Sequence, residues 1–158
     1  MFERASPKIS KPGAFTPSET VKSDTESLRA LAMRVASQAY APYSRLQVGA
    51  ALRSQAGHVY SGCNVENAAY PLGGCAERGA IAMAVQAEGS SFRLAEIAVA
   101  AFSHDDRALP VSPCGGCRQA LVEFGPEASV SFRQPDGSWV AVSADALLPW
   151  RFEFPSEG

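Results

Sequence analysis

The sequence predicts an α/β fold: one mixed sheet covered by helices. Three observations carry this. Segments with helical apolar spacing alternate with short apolar runs of strand type. The 158 residues suffice for one well-cored domain and are too few for two comfortable ones. A composition of 46% hydrophobic and 19% charged residues is ordinary for a globular protein.

Residues 1–24 are rich in Ser, Thr, Pro and Lys and lack a periodic apolar pattern, so they read as a disordered arm preceding a domain over 25–158. Organisation begins at Ser23-Asp24-Thr25-Glu26, where a hydroxyl or carboxylate can cap a helix. Leu28, Leu31, Ala32, Val35 and Ala36 then share one face, and Pro42 is the expected stop. Residues 46–52 and 59–65 read as strands joined by a turn at Gln55-Ala56-Gly57. A helix is expected from Cys75 to about Ala87, stopped near Gly89. Residues 95–102 are a strongly apolar strand, and a second helix runs from about Gly116 to Phe124, ending at Gly125-Pro126. Strands at 129–132 and 139–142 flank Pro135-Asp136-Gly137, a hairpin-turn sequence. In 144–154, Pro149 interrupts any long helix.

Charge narrows the partners. The net charge is −2 and the fourteen Lys and Arg are scattered singly, which leaves no basic stripe for a nucleic-acid backbone. A free small molecule is the better substrate. No run approaches the roughly eighteen apolar residues of a membrane span. Met1-Phe2-Glu3-Arg4 lacks the apolar core of a secretory signal, so the expected compartment is the cytoplasm, where thiols stay reduced. Four cysteines there point to metal or catalysis before disulfides.

The chemistry-bearing residues are Cys75-Ala76-Glu77-Arg78 and, well downstream, Pro113-Cys114-Gly115-Gly116-Cys117. Cys114 and Cys117 lie three apart at a helix start, so both sulfurs can reach one ion. Cys75 also opens a helix, and two helix N-termini aimed at one point favour the thiolates that bind zinc. Three ligands leave the fourth position of a tetrahedral zinc open, as a catalytic site requires. A Cys₃ zinc site with a nearby non-ligating Glu is the known signature of zinc nucleobase deaminases, with the Glu as general acid/base. Glu77 is that candidate. Two positions past Cys75 in an ideal helix it would point away from the metal, a conflict relieved if Cys75 is a cap residue. Three thiolates on Zn²⁺ carry a net −1 charge, and Arg78 is placed to donate to the sulfurs and drain it.

Other readings remain open at this level. A structural Cys₄ zinc could recruit Cys63, making the chain a non-catalytic binding module, although its distance from Cys75 exceeds the usual knuckle and Glu77 would have no task. Cys114-Gly115-Gly116-Cys117 alone could be a redox dithiol, which leaves Cys75 and Glu77 unexplained. Cys63 reads as a small packed apolar group, and His58 and His104 as solvated side chains in polar turns.

In these residues, and in further blocks in order, the chain resembles the small homotetrameric cytidine deaminases. The blocks are Tyr40-Ala41-Pro42-Tyr43-Ser44, Val48-Gly49-Ala50-Ala51-Leu52, Gly62-Cys63-Asn64-Val65-Glu66-Asn67-Ala68, the two metal segments continuing into Arg118-Gln119, and Leu147-Leu148-Pro149. The resemblance implies a three-layer α/β/α sandwich around a mixed five-stranded sheet, one zinc per chain, and active sites at subunit interfaces. It implies hydrolysis of cytidine and 2′-deoxycytidine to the uridine products plus ammonia, in pyrimidine salvage. Asn64 and Glu66 would hydrogen-bond the ribose 3′-hydroxyl, the backbone N–H of Ala76 would face substrate, Tyr70 would approach the neighbouring subunit's site, and Phe152 would stack on the base. Blasticidin S deaminases share the zinc motif and the Asn-x-Glu element and form the nearest alternative.

Three departures qualify the match. Leu46 stands where many members carry Phe against the base. Gly79 stands where Thr is common, at a cost of about 1 kcal/mol of helix stability relative to Ala unless close packing wants it. The tail Pro149-Trp150-Arg151-Phe152-Glu153-Phe154 leaves Phe154 as competitor to Phe152 for the base.

Overall fold

A computed structural model describes residues 25–155; the expected arm at 1–24 lies outside the described residues. The central strand is the apolar β3 (Leu94–Phe102). β1 (Gln47–Ser54) pairs antiparallel on one side of it, and β5 (Ser129–Arg133) pairs parallel on the other. β2 (Val59–Cys63) and β6 (Trp139–Ser143) complete the order β2-β1-β3-β5-β6, and β4 (Ala108–Leu109) adds a two-residue pairing with β3. The sheet is therefore mixed, as expected, with a sixth strand too short to leave a periodic signal.

Period-two alternation assigns the faces. Ala51, Ala98 and Ala100 pack with Leu28 and Ala32 of α1 (Thr25–Ala36). Ala50, Leu52, Ile97, Val99 and Val130 pack instead with Ala80, Ile81 and Ala84 of α2 (Ala76–Glu88) and with Leu121 of α3 (Gly115–Phe124). The short α4 (Ala144–Leu147) joins this second layer through Ala144. The result is the three-layer sandwich.

Two glycines set how closely the helices approach. A Cβ on Gly49 would lie 2.1 Å from Ala32 O and 2.5 Å from Ala36 N, so α1 rests directly on β1. A Cβ on Gly62 would lie 2.5 Å from Ala80 N and 2.7 Å from Ala76 O, so the first turns of α2 rest on β2. That contact draws Ala76 and Glu77 inward. Both are buried.

The helix over 25–36 stops before Pro42. The reason is tertiary: Tyr40 N donates to Asn64 O at 3.1 Å and Glu66 N donates to Tyr40 O at 2.8 Å, which requires an extended backbone at 40. The strand at 59–63 likewise ends earlier than residue 65, because Val65 turns to exchange hydrogen bonds with Gly74. The turns read from sequence stand: Gly57 and Gly137 both have positive φ, and Asp136 Oδ1 accepts from Ser138 N at 2.8 Å. β3 to β5 is a parallel connection carrying α3, and ligand-binding crevices in such units lie beyond the strands' carboxyl ends. Cys114 caps α3 after β3.

Candidate active site

Cys75 is the N-cap of α2 and Cys114 the N-cap of α3, each with extended backbone. Glu77 is thus the second residue of its helix, and the capping geometry removes the conflict raised by an ideal helix starting earlier. Cys117 lies one turn into α3 and is fully buried. The Cys75, Cys114 and Cys117 sulfurs all lie within 4.8 Å of one another, with Cys75 Sγ 3.9 Å from Cys114 Sγ. Two thiolates on one tetrahedral zinc, each at about 2.3 Å, sit about 3.8 Å apart. A disulfide needs about 2.0 Å, and all four cysteines are free. The donor set fits zinc.

Electrostatics points the same way. Burial pushes the Glu77 carboxyl up, with hydrogen bonds from its own N–H and the Cys117 thiol pulling in the other direction. Burial also pushes the Cys117 thiol far up, reinforced by the Glu77 charge, and raises Cys75. Burial opposes ionisation at Cys114 too, but is outweighed by hydrogen bonds, the first from the Cys117 backbone, so Cys114 is lowered. The Glu77 charge works against ionisation of all three thiols, and a divalent cation held by them would be the counter-charge that relieves this.

These residues open on a cavity of about 390 Å³, within the size range of small-molecule sites. Cys75, Ala76, Glu77 and Cys114 form its thiol-lined end. Leu46, Val48, Val99 and Val111 give an apolar wall, and Ser44, Asn64, Glu66 and Ser112 the polar groups. Asn64 Oδ1 accepts from Val48 N at 2.7 Å and Nδ2 donates to Leu46 O at 2.8 Å, leaving one lone pair and one N–H for a ligand. Glu66 accepts from the backbone N–H of Tyr43 at 2.8 Å and of Ser44 at 3.2 Å, and from the Ser44 hydroxyl in a short contact. The Ser44 hydroxyl, foremost, holds the Glu66 carboxyl below its usual range, against the effect of burial. It is an anion braced in place.

The structure brings Cys75, Cys114, Cys117, Glu77, Ala76, Asn64, Glu66 and Leu46 together. Three sequence candidates stand apart. Tyr70 is 74% exposed and lines a neighbouring cavity with Tyr43, its ring centroid 6.0 Å from that of Tyr43. Phe152 is 68% exposed and lines neither cavity. Arg78 is exposed, and among the described residues its guanidinium makes no hydrogen bond to a thiol. Cys63 is half-buried and outside the thiol cluster, so the closed Cys₄ arrangement does not assemble among the described residues. His104 is exposed; His58 is largely exposed but pairs through Nδ1 with Glu88 at 3.0 Å. Sequence reading missed Ser44, whose hydroxyl braces Glu66; only the Tyr-Ser pair in the opening block hinted at it.

Comparison with known proteins decides the family. Residues 22–132 match the model of the cytidine and deoxycytidylate deaminase zinc-binding region. The chain belongs to this zinc-binding deaminase family. A cytidine deaminase of Halalkalibacterium halodurans is 40% identical over 130 residues, covering 82% of this chain and 94% of the relative. One of Sporosarcina psychrophila is 48% identical over 101 residues, 64% of this chain and 70% of the relative. Among solved structures, cytidine deaminase from Burkholderia pseudomallei matches with a TM-score of 0.72 and 41% identity, over 82% of this chain and 100% of that one. The enzyme from Mycobacterium tuberculosis matches with a TM-score of 0.68 and 36% identity, over 84% and 100%. The deaminase described here is thus a hydrolytic enzyme with zinc as its cofactor, and no helix among its described residues is long and apolar enough to cross a membrane.

Proposed function

We propose that this deaminase hydrolyses cytidine and 2′-deoxycytidine, releasing ammonia and the uridine products, as a step of pyrimidine salvage in the cytoplasm. The observation that carries the reading is the placement of Glu77, buried between a three-thiol cluster and one cavity that also presents Asn64 and Glu66. Cys75, Cys114 and Cys117 would hold the zinc. When bound, the ion supplies Lewis acidity that makes water nucleophilic near neutral pH.

The protein's own residues do the rest. Glu77 takes a proton from the attacking water and passes it to N3, which makes C4 electrophilic. As the C4–N bond breaks, Glu77 delivers the second water proton to the departing amine, so C4 ends with oxygen in place of nitrogen. Burial that raises the Glu77 carboxyl suits a group that must hold a proton between these transfers. Asn64 and Glu66 would fix the sugar, the Ala76 N–H would meet the pyrimidine, and Leu46 would cover one base face. No Lys or Arg lines either cavity, which suits an uncharged nucleoside. Arg78 would drain negative charge from the loaded site.

One domain over 25–158 would assemble as a homotetramer, with Tyr70 and Phe152 reaching a neighbouring chain's cavity. Supporting this, Tyr40, Tyr43, Val65, Tyr70, Leu72, Trp150, Phe152 and Phe154 are all exposed in the single chain. Of the two tail aromatics, Phe152 is the one whose backbone is anchored. Incubation of zinc-replete protein with cytidine, 2′-deoxycytidine, deoxycytidylate and blasticidin S tests the reading. Conversion of the two nucleosides above the others supports it. Conversion of blasticidin S alone would replace it with the analogue-deaminase reading, and zinc without any turnover would leave a binding module.

A further inference from the structure

Two consecutive residues of α3, Arg118 and Gln119, directly follow Cys117 and line neither cavity. Arg118 Nε donates to Pro113 O at 2.8 Å, Nη2 to Ser112 Oγ at 3.1 Å, and Nη1 to Leu147 O at 3.1 Å. The Pro113 carbonyl belongs to the peptide that enters Cys114, and Pro113 is buried, so this grip fixes the plane from which the Cys114 side chain departs. Leu147 is the last residue of α4, 29 positions further along the chain from Arg118. The same guanidinium therefore touches the metal loop and the C-terminal segment.

Gln119 makes the neighbouring attachment. Its Nε2 donates to Phe152 O at 3.0 Å and its Oε1 accepts from Phe152 N at 3.2 Å, the pattern of one residue in an adjacent strand. Between these anchors, Arg151 pairs with Asp145 in a short contact and with Glu153 at 2.6 Å. Gln119 holds only the tail. Of these two side chains, Arg118 is the one that hydrogen-bonds to both the loop before Cys114 and the C-terminal segment.

We infer that Arg118 is a positioning residue for the zinc ligand Cys114, and that through Leu147 it couples zinc occupancy to the order of the C-terminal segment. The inference rests on the zinc reading above. Only a planar guanidinium can address three acceptors from one fork; a lysine ammonium, a point charge on a flexible stem, cannot hold the three together. Groups that orient a metal ligand from behind commonly change metal affinity by about 10–100-fold when removed. By linkage, if the tail steadies the metal loop, zinc steadies the tail by the same factor.

The test uses full-length zinc-loaded protein and no nucleoside. Arg118→Lys and Arg118→Gln are expected to surrender zinc to a chelator about tenfold faster or more, and to alter the thiolate-to-metal absorption of the cobalt-substituted protein. Removing zinc from the wild type should speed amide exchange over residues 148–155, and this difference should vanish in Arg118→Lys. Gln119→Ala should speed tail exchange at Phe152 while zinc retention stays at the wild-type rate. Arg118→Lys keeps charge and stem, so it carries the test if Arg118→Gln does not fold. Wild-type zinc release and cobalt spectra in Arg118→Lys would overturn this inference alone. A wild type that binds no zinc would overturn the zinc reading and this inference with it.

Discussion

The side-chain amide of Asn64 lies along β1 as a neighbouring peptide would, its Oδ1 accepting from Val48 N at 2.7 Å. Its Nδ2 returns a bond to Leu46 O at 2.8 Å, so the residue that faces the cavity also builds the cavity wall. Asn64→Ala is therefore expected to cost about 1–3 kcal/mol of stability by leaving part-buried backbone groups unpaired, and to raise KM. Asn64→Asp keeps the Val48 bond but aims a carboxylate at the Leu46 carbonyl, and should be no more stable than wild type at any neutral pH. Urea unfolding with steady-state kinetics checks both; an Asn64→Ala protein of unchanged stability would contradict the wall role.

Cys117 is fully buried among the other two sulfurs, whereas Cys63 stands outside their cluster. Cys117→Ser should purify with substoichiometric zinc and without activity, and Cys63→Ser should keep one zinc per chain. Metal analysis of the two variants decides this. Loss of zinc from Cys63→Ser would restore the four-thiol alternative.

Gly62 and Gly79 make opposite demands on the same contact between β2 and α2. A Cβ on Gly79 would meet nothing nearer than 3.8 Å, so close packing does not require glycine there. Gly79→Ala should stabilise the protein by up to about 1 kcal/mol. Gly62→Ala places its methyl 2.5 Å from the Ala80 backbone and should cost about 1–3 kcal/mol or more. Thermal unfolding of the pair gives the order; a destabilised Gly79→Ala would refute the space argument.

Much of this architecture was legible in the sequence because local signals and packing agree. The apolar run at 94–102 is central because both its faces are covered, and Gly125-Pro126 ends α3 where the pattern said it would. The thiol cluster was legible because three cysteines at that spacing beside a carboxylate have few uses other than holding a metal ion. What escaped was set by tertiary pairing. The end of α1 depends on Tyr40 joining Asn64 and Glu66, which no local propensity encodes. Ser44 and Arg118 act through hydrogen bonds spanning 22 and 29 positions, and neither residue type at those places carries a pattern of its own. Tyr70 and Phe152 were placed by family resemblance, and within one chain neither reaches the thiol-lined cavity.

Glu88 at the end of α2 gives a pH test separate from the site. Its carboxylate pairs with His58 Nδ1 and accepts from Tyr60 OH, both at 3.0 Å. Burial opposes its charge but is outweighed by hydrogen bonds from Ser54, His58 and Tyr60, so its carboxyl is held below the usual value. Burial, foremost, and the Glu88 bond push the Tyr60 phenol up to about 12. A lowered carboxyl contributes stability above its unfolded value of about 4.3 and loses it as pH falls through the folded value. Glu88→Gln should thus be less stable than wild type at pH 7, by about 1–2 kcal/mol, with the gap closing in acid below the unfolded value. Urea unfolding across acid pH checks it; a gap independent of pH would contradict the linkage.

The most direct test of the central claim compares wild type and Glu77→Gln at equal zinc content, following cytidine loss by absorbance together with ammonia release. Wild type is expected to convert cytidine to uridine with one ammonia per turnover. Glu77→Gln, still holding one zinc per chain, is expected to be slower by at least about 10²–10⁴-fold. Near-normal turnover by zinc-loaded Glu77→Gln would contradict the role given to the buried carboxylate.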